Sequence, residues 1–110
     1  MCIRDRHSNL LQNQNTHHLY TIYDFEQREI YKFGISDTPV IIQNTSARLR
    51  DQIKLFNKVT GWQRFSGRLL KYPIQGRFLA RKLEDNTILT FHIKHGRFPR
   101  GNRNHQFLKM

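Results

Sequence analysis

The chain has 110 residues, 19 of them Lys or Arg against 8 Asp or Glu, for a formal net charge of +11. That length suits one domain with a single compact core, burying roughly two thirds of the surface its unfolded chain exposes. The charge points to a polyanionic partner, nucleic acid before a membrane surface, and no run of about 18 apolar residues is present to span a bilayer.

The N-terminus lacks the apolar h-region of a signal peptide. One cysteine, Cys2, allows neither an intrachain disulfide nor a thiolate zinc site. The opening MCIRDR looks like a translated sequencing adapter, so Cys2 carries no weight and the natural N-terminus is expected upstream.

Residues 7–18, HSNLLQNQNTHH, are polar and lack an apolar period, so 1–17 are expected to be a disordered lead-in before a domain over 18–110. The aromatic and β-branched stretches 19–25 (LYTIYDF) and 29–35 (EIYKFGI), separated by EQR, predict a β-hairpin. The following SDTPVIIQNT contains Pro39 and a short apolar run, which together predict no definite element. From Ser46 the period becomes helical, with Leu49, Ile53 and Phe56 on one stripe, Thr45 or Ser46 as N-cap and Gly61 as the stop. Residues 62–74 (WQRFSGRLLKYPI) predict a third strand, which Pro73 assigns to a sheet edge. A final helix over 75–95 takes Phe78, Leu79, Leu83, Ile88, Phe91 and Ile93 as its apolar side, with His92 a further candidate and Gly96 as the left-handed C-cap. The order β-β-α-β-α predicts an α+β domain, a small three-stranded antiparallel sheet flanked by helices.

Several residues on these elements could carry chemistry. Tyr20, Tyr23, Tyr31 and Lys32 lie on the hairpin, where half-buried packing is the ordinary role of a tyrosine. Arg48 stands in the first turn of a helix, where the dipole favours an acid, so a functional reason is open. Glu84, in ARKLED, is either a surface partner of Arg81 or Lys82 or a metal ligand. Asn102, in FPRGN, is by default a turn residue. His92 and His95 lack further ligands at zinc spacing and fit helix-end cations. Arg97, Arg100 and Arg103 suit phosphate contacts, each steepening the salt dependence of duplex binding by about 0.9 in log–log slope, or form a merely solvated tail.

Taken in order, HLYTIYDFEQREIYKFGIS, SARLRDQI, GRFLARKLED and HGRFPRGN resemble the GIY-YIG endonuclease domain, in the form found at the C-termini of bacterial polymorphic toxins. The resemblance spans residues 18–102 and rests on the ordered set. It implies that Tyr20 ends the first tripeptide, with His18 in place of its glycine, and that Gly34 is the glycine of the second. Counting back from Gly34 puts Lys32 at the second tyrosine position, with Tyr31 one residue earlier; alternation along a strand lets only one face the site unless a bulge intervenes. Arg48 matches the family arginine, Gln52 stands where many members carry His, Glu84 matches the metal-binding glutamate and Asn102 the late asparagine.

These types suit phosphodiester hydrolysis. Arg48 can bridge two phosphate oxygens, and Glu84 can offer one carboxylate to Mg²⁺ or Mn²⁺. Asn102 would orient the phosphate or stabilise its loop. The resemblance implies that Tyr20 assists the attacking water. Positive neighbours are expected to lower its hydroxyl pKa from about 10. It further implies a metal-dependent endonuclease, acting on DNA in preference to RNA, delivered as the end of a larger secreted polypeptide into a target cell's cytoplasm and neutralised by an immunity protein. The alternatives are a non-catalytic nucleic-acid-binding module on the same fold and a basic ribosome-associated protein.

Overall fold

A computed structural model describes residues 15–38, 40–41, 45–103 and 105. In chain order the elements are β1 (Thr16–Asp24), β2 (Glu29–Ser36), β3 (Val40–Ile41), β4 (Thr45–Ser46), α1 (Ala47–Thr60), β5 (Phe65–Gln75) and α2 (Arg77–His95), followed by a 3₁₀ turn at Arg100–Asn102. β1 is the centre of an antiparallel sheet of order β2-β1-β5. Its side chains alternate between faces. Tyr20 and Ile22 join Leu49 and Phe65 under α1, with Ile53, Phe56 and Leu69 packed alongside. Leu19 joins Ile74 and Ala80, and Phe33 joins Ile88 and Phe91, under α2. The helices therefore cover opposite faces of the sheet, the expected α+β arrangement.

Local rules explain where the helices stop and start. The Ser46 hydroxyl accepts from the Leu49 N–H at 3.2 Å, which makes it the N-cap of α1. Gly61 (φ 82°) and Gly96 (φ 77°) take the left-handed conformation that closes each helix. The hairpin turn is held by Asp24, whose Oδ1 accepts from the Glu26 and Gln27 amides at 2.9 and 3.3 Å. Arg64 grips the same buried carboxylate through two bonds of 2.8 Å, and Arg100 bonds to it from the C-terminal turn. These contacts, led by Arg64, hold the Asp24 carboxyl well below the usual range.

Four expectations need correction or extension. The unassigned stretch contains a small β-pair, with Val40 opposite Ser46 and Ile41 opposite Thr45. The third strand begins at Phe65 rather than at 62, and Pro73 does lie on an outer strand, where the β1–β5 register shifts. The apolar side of the last helix was expected to include Phe78, Leu79 and Ile93, which are exposed, Ile93 to 82%. Ile88 and Phe91 are buried as expected, and Ala80, Glu84 and Asp85 are buried with them. Ile93 lies five positions beyond Ile88, about 140° further round the helix, so the two cannot share a face. Of the expected lead-in, residues 1–14 lie outside the described residues, while Thr16 and His17 already pair with β5.

Candidate active site

A cleft of about 750 Å³ is walled by β2 and the residues after it, the first turn of α1, the first half of α2, residues 100–103 and His105. Lys32, Arg48, Arg77, Arg81, Arg100 and Arg103 line it, against the carboxylates of Asp37 and Glu84. Such a concentration of guanidinium groups suits a polyanion.

Tyr20 is 1% exposed and lies opposite Gly34 in the β1–β2 register. A Cβ at position 34 would fall 2.4 Å from Tyr20 Cζ and 2.5 Å from its Oη, so glycine is what lets the ring cross β2 toward the cleft. Gln52, one turn into α1, ties this hydroxyl to Arg48. With its amide oxygen facing the pair, it accepts from Tyr20 Oη at 3.0 Å and from Arg48 Nε and Nη2 at 2.9 and 3.1 Å. The Arg48 amide in turn donates to Thr38 Oγ1 at 3.1 Å, which binds the segment after β2 to the helix start. The expected lowering of the Tyr20 pKa is reversed. Burial raises it and outweighs the opposing hydrogen bond from Arg48, so the phenol keeps its proton at neutral pH.

A bulge separates Tyr31 from Lys32. The β1–β2 register jumps from Ile22–Lys32 to Tyr23–Ile30, leaving Tyr31 without an opposite residue on β1. Tyr31 turns into the core, edge-on to Phe56 and Phe65 at 5.7 and 5.3 Å between ring centroids. Lys32 lines the cleft. Burial, with help from Arg48, lowers the pKa of its ammonium, and Glu84 opposes that shift.

Glu84 reaches the cleft from α2 and is 7% exposed. Its carboxylate accepts no hydrogen bond among the described residues; the nearest cationic nitrogens are Arg81 Nε at 3.8 Å and His105 Nε2 at 3.9 Å. Burial raises its pKa, with His105 and Arg81 opposing. A buried carboxylate with unmet lone pairs, open to a cleft, fits a divalent cation, and Glu84 is the residue that would hold it. Beside it, Asp85 Oδ1 is hydrogen-bonded to His105 Nε2.

Asn102 is built into the fold. Its Oδ1 accepts from the Phe33 N–H at 2.8 Å and its Nδ2 donates to the Phe33 carbonyl at 3.0 Å, so one side chain pairs both backbone groups of Phe33 on edge strand β2. Arg100 lies over the Tyr31 ring, 5.2 Å from its centroid, and bonds to Asp24 and Glu29. Arg97 bonds to Glu29 and lies outside the cleft lining, whereas Arg103 is exposed and lines it. Tyr23 packs edge-on to Phe25 at 5.2 Å. His92 and His95 stack on Phe98 and Phe91.

Sequence reasoning missed Arg77, Arg81, Asp85 and His105. A signal existed for the first three: Arg77, Arg81, Glu84, Asp85 and Ile88 recur at helical spacing on the side that carries the buried Ile88.

The fold and the cleft define a small basic α+β domain whose guanidinium groups gather beside a buried acid. The chain matches the model of the URI fold toxin 2 family over residues 10–96, and it belongs to that family. It is thus a nuclease-like toxin domain. No curated protein and no solved structure matches it.

Proposed function

We propose that this domain is a GIY-YIG-type endonuclease that hydrolyses phosphodiester bonds of nucleic acid, DNA in preference to RNA, in the cleft beside β2. The observation that carries this reading is convergence. Tyr20 from β1, Lys32 from β2, Arg48 from α1 and Glu84 from α2 meet at one cationic cleft, in the order the family resemblance requires.

In the proposed reaction Arg48 holds two oxygens of the scissile phosphate, with its guanidinium oriented by Gln52. Tyr20, protonated at rest, positions the attacking water through its hydroxyl. Lys32, which lines the same cleft, adds positive charge beside the phosphate as the water oxygen bonds to phosphorus and the bond to the leaving oxygen breaks, the water's proton passing to solvent. A divalent cation, Mg²⁺ or Mn²⁺, held by Glu84 would supply charge to the phosphate and leaving oxygens. The basic cleft also suits an acidic immunity protein, and membership of a toxin family supports delivery as part of a larger secreted polypeptide.

The test is incubation with supercoiled plasmid and, separately, with total tRNA, in Mg²⁺ and in EDTA, beside Glu84→Ala. Metal-dependent cleavage lost in the variant supports the proposal and names the substrate class. A second reading, a non-catalytic binding module, draws on Lys32 at the second tyrosine position and on the raised Tyr20 pKa. It predicts retarded but intact nucleic acid in every lane, with affinity falling as salt rises.

A further inference from the structure

The acidic corner of the cleft contains more donors than Glu84. Asp85 follows it on α2, and His105 arrives from the C-terminal segment that Asn102 and Arg100 pin to the hairpin. One ligand atom from each of Glu84, Asp85 and His105 lies within 4.8 Å of the others. Their side chains are only 9, 9 and 10% exposed.

We infer that Glu84, Asp85 and His105 together form a site for one divalent transition-metal ion, taking Mn²⁺ in preference to Mg²⁺. This rests on the reading of Glu84 as the cleft's metal ligand and adds two donors to it. Ligand atoms about 2.0–2.2 Å from a common ion stand roughly 3–4 Å apart. His105 Nε2 and Glu84 Oε1, at 3.9 Å, already meet that spacing. Asp85 and His105 are closer because they are hydrogen-bonded to each other, and a small parting of the two would admit the ion.

Two carboxylates share a buried helix face, with Arg81 Nε 3.8 Å from one and 3.5 Å from the other, both beyond hydrogen-bond distance. Glu84, buried and without a hydrogen bond among the described residues, has lone pairs to offer. An imidazole in the donor set decides between ions. Mg²⁺ prefers oxygen ligands and keeps its waters, whereas nitrogen donors shift preference toward first-row transition metals.

The probe is Mn²⁺ itself, titrated into the purified domain and followed by electron paramagnetic resonance, with Mg²⁺ as competitor. The expected result is one tightly held Mn²⁺ per chain with a pulsed-resonance coupling to an imidazole nitrogen, displaced only by a large excess of Mg²⁺. In His105→Gln, checked for folding by circular dichroism, the coupling should vanish and Mn²⁺ affinity should fall by about tenfold or more. Asp85→Asn should weaken Mn²⁺ while leaving the nitrogen coupling in place. Bound Mn²⁺ without nitrogen coupling in the wild type, or coupling that survives His105→Gln, overturns the inference without needing any variant to be active. If Mg²⁺-dependent plasmid cleavage is still lost in Glu84→Ala, the nuclease reading stands while the three-residue site falls. No Mn²⁺ binding at all overturns the metal site in both readings.

Discussion

Asn102→Ala separates a residue that touches substrate from one that builds the site. In the fold the Asn102 amide makes two hydrogen bonds to Phe33, of 2.8 and 3.0 Å, and is 7% exposed. Each bond contributes about 1 kcal/mol net, and a backbone group left buried without a partner costs about 1–3 kcal/mol. These are two accounts of one loss, so the truncation should destabilise the domain by about 2–4 kcal/mol, a sizeable part of the roughly 5–15 kcal/mol available to a domain. At about 4–8 °C per kcal/mol for a chain near this size, the melting temperature should fall by roughly 10–30 °C. Asn102→Asp should also lose stability, because a carboxylate can accept from the Phe33 amide but offers nothing to its carbonyl. Circular dichroism melts of the three proteins, with exchange of the Phe33 amide proton followed by NMR, make the measurement. Melting within about 2 °C of wild type, together with a collapse of cleavage, would refute the structural role and return Asn102 to the substrate.

The same geometry leads to three further expectations. Gly34→Ala puts a methyl group 2.4 Å from Tyr20 Cζ, so it should cost about 1–3 kcal/mol and abolish cleavage, whereas Gly61→Ala has open space around it and only its left-handed backbone to strain. Tyr20→Phe should fold with near-native stability yet lose most cleavage; an active Tyr20→Phe beside an inactive Tyr31→Phe would reverse the assignment of the two rings. His18 is fully buried, neither ring nitrogen has a hydrogen-bond partner among the described residues, and burial lowers its pKa below the ordinary 6.5. The unfolded chain therefore takes a proton near that pH that the fold resists. This contribution to stability is complete above about pH 6.5 and is lost as the pH falls below it. His18→Phe should raise the melting temperature at pH 8 and flatten the loss in acid, and a variant that melts lower with the wild-type pH slope would contradict this reading of His18.

What the sequence by itself determined were features set by neighbours along the chain. The Ser46 cap, the glycines at 61 and 96, the hairpin with its EQR loop and the outer position of Pro73 follow from backbone sterics and hydrogen bonding within a few residues, and all are legible in one dimension. The motif residues Tyr20, Gly34, Arg48 and Glu84 were also legible, as an ordered set of types. Tertiary structure decided what those types do. A bulge at Tyr31 in β2 places it on the same face as Lys32, beside Ile22, an exception to the alternation that sequence counting assumes; there Tyr31 packs into the core under α1 and Lys32 lines the cleft. Burial under α1 turned the Tyr20 shift upward, since desolvation depends on what packs over the ring from distant parts of the chain. The inner face of α2 was misjudged for a related reason. Hydrophobicity favoured Phe78 and Ile93, yet the helix turns Glu84 and Asp85 inward, where burial of two acids depends on the cations and His105 that the fold brings to meet them.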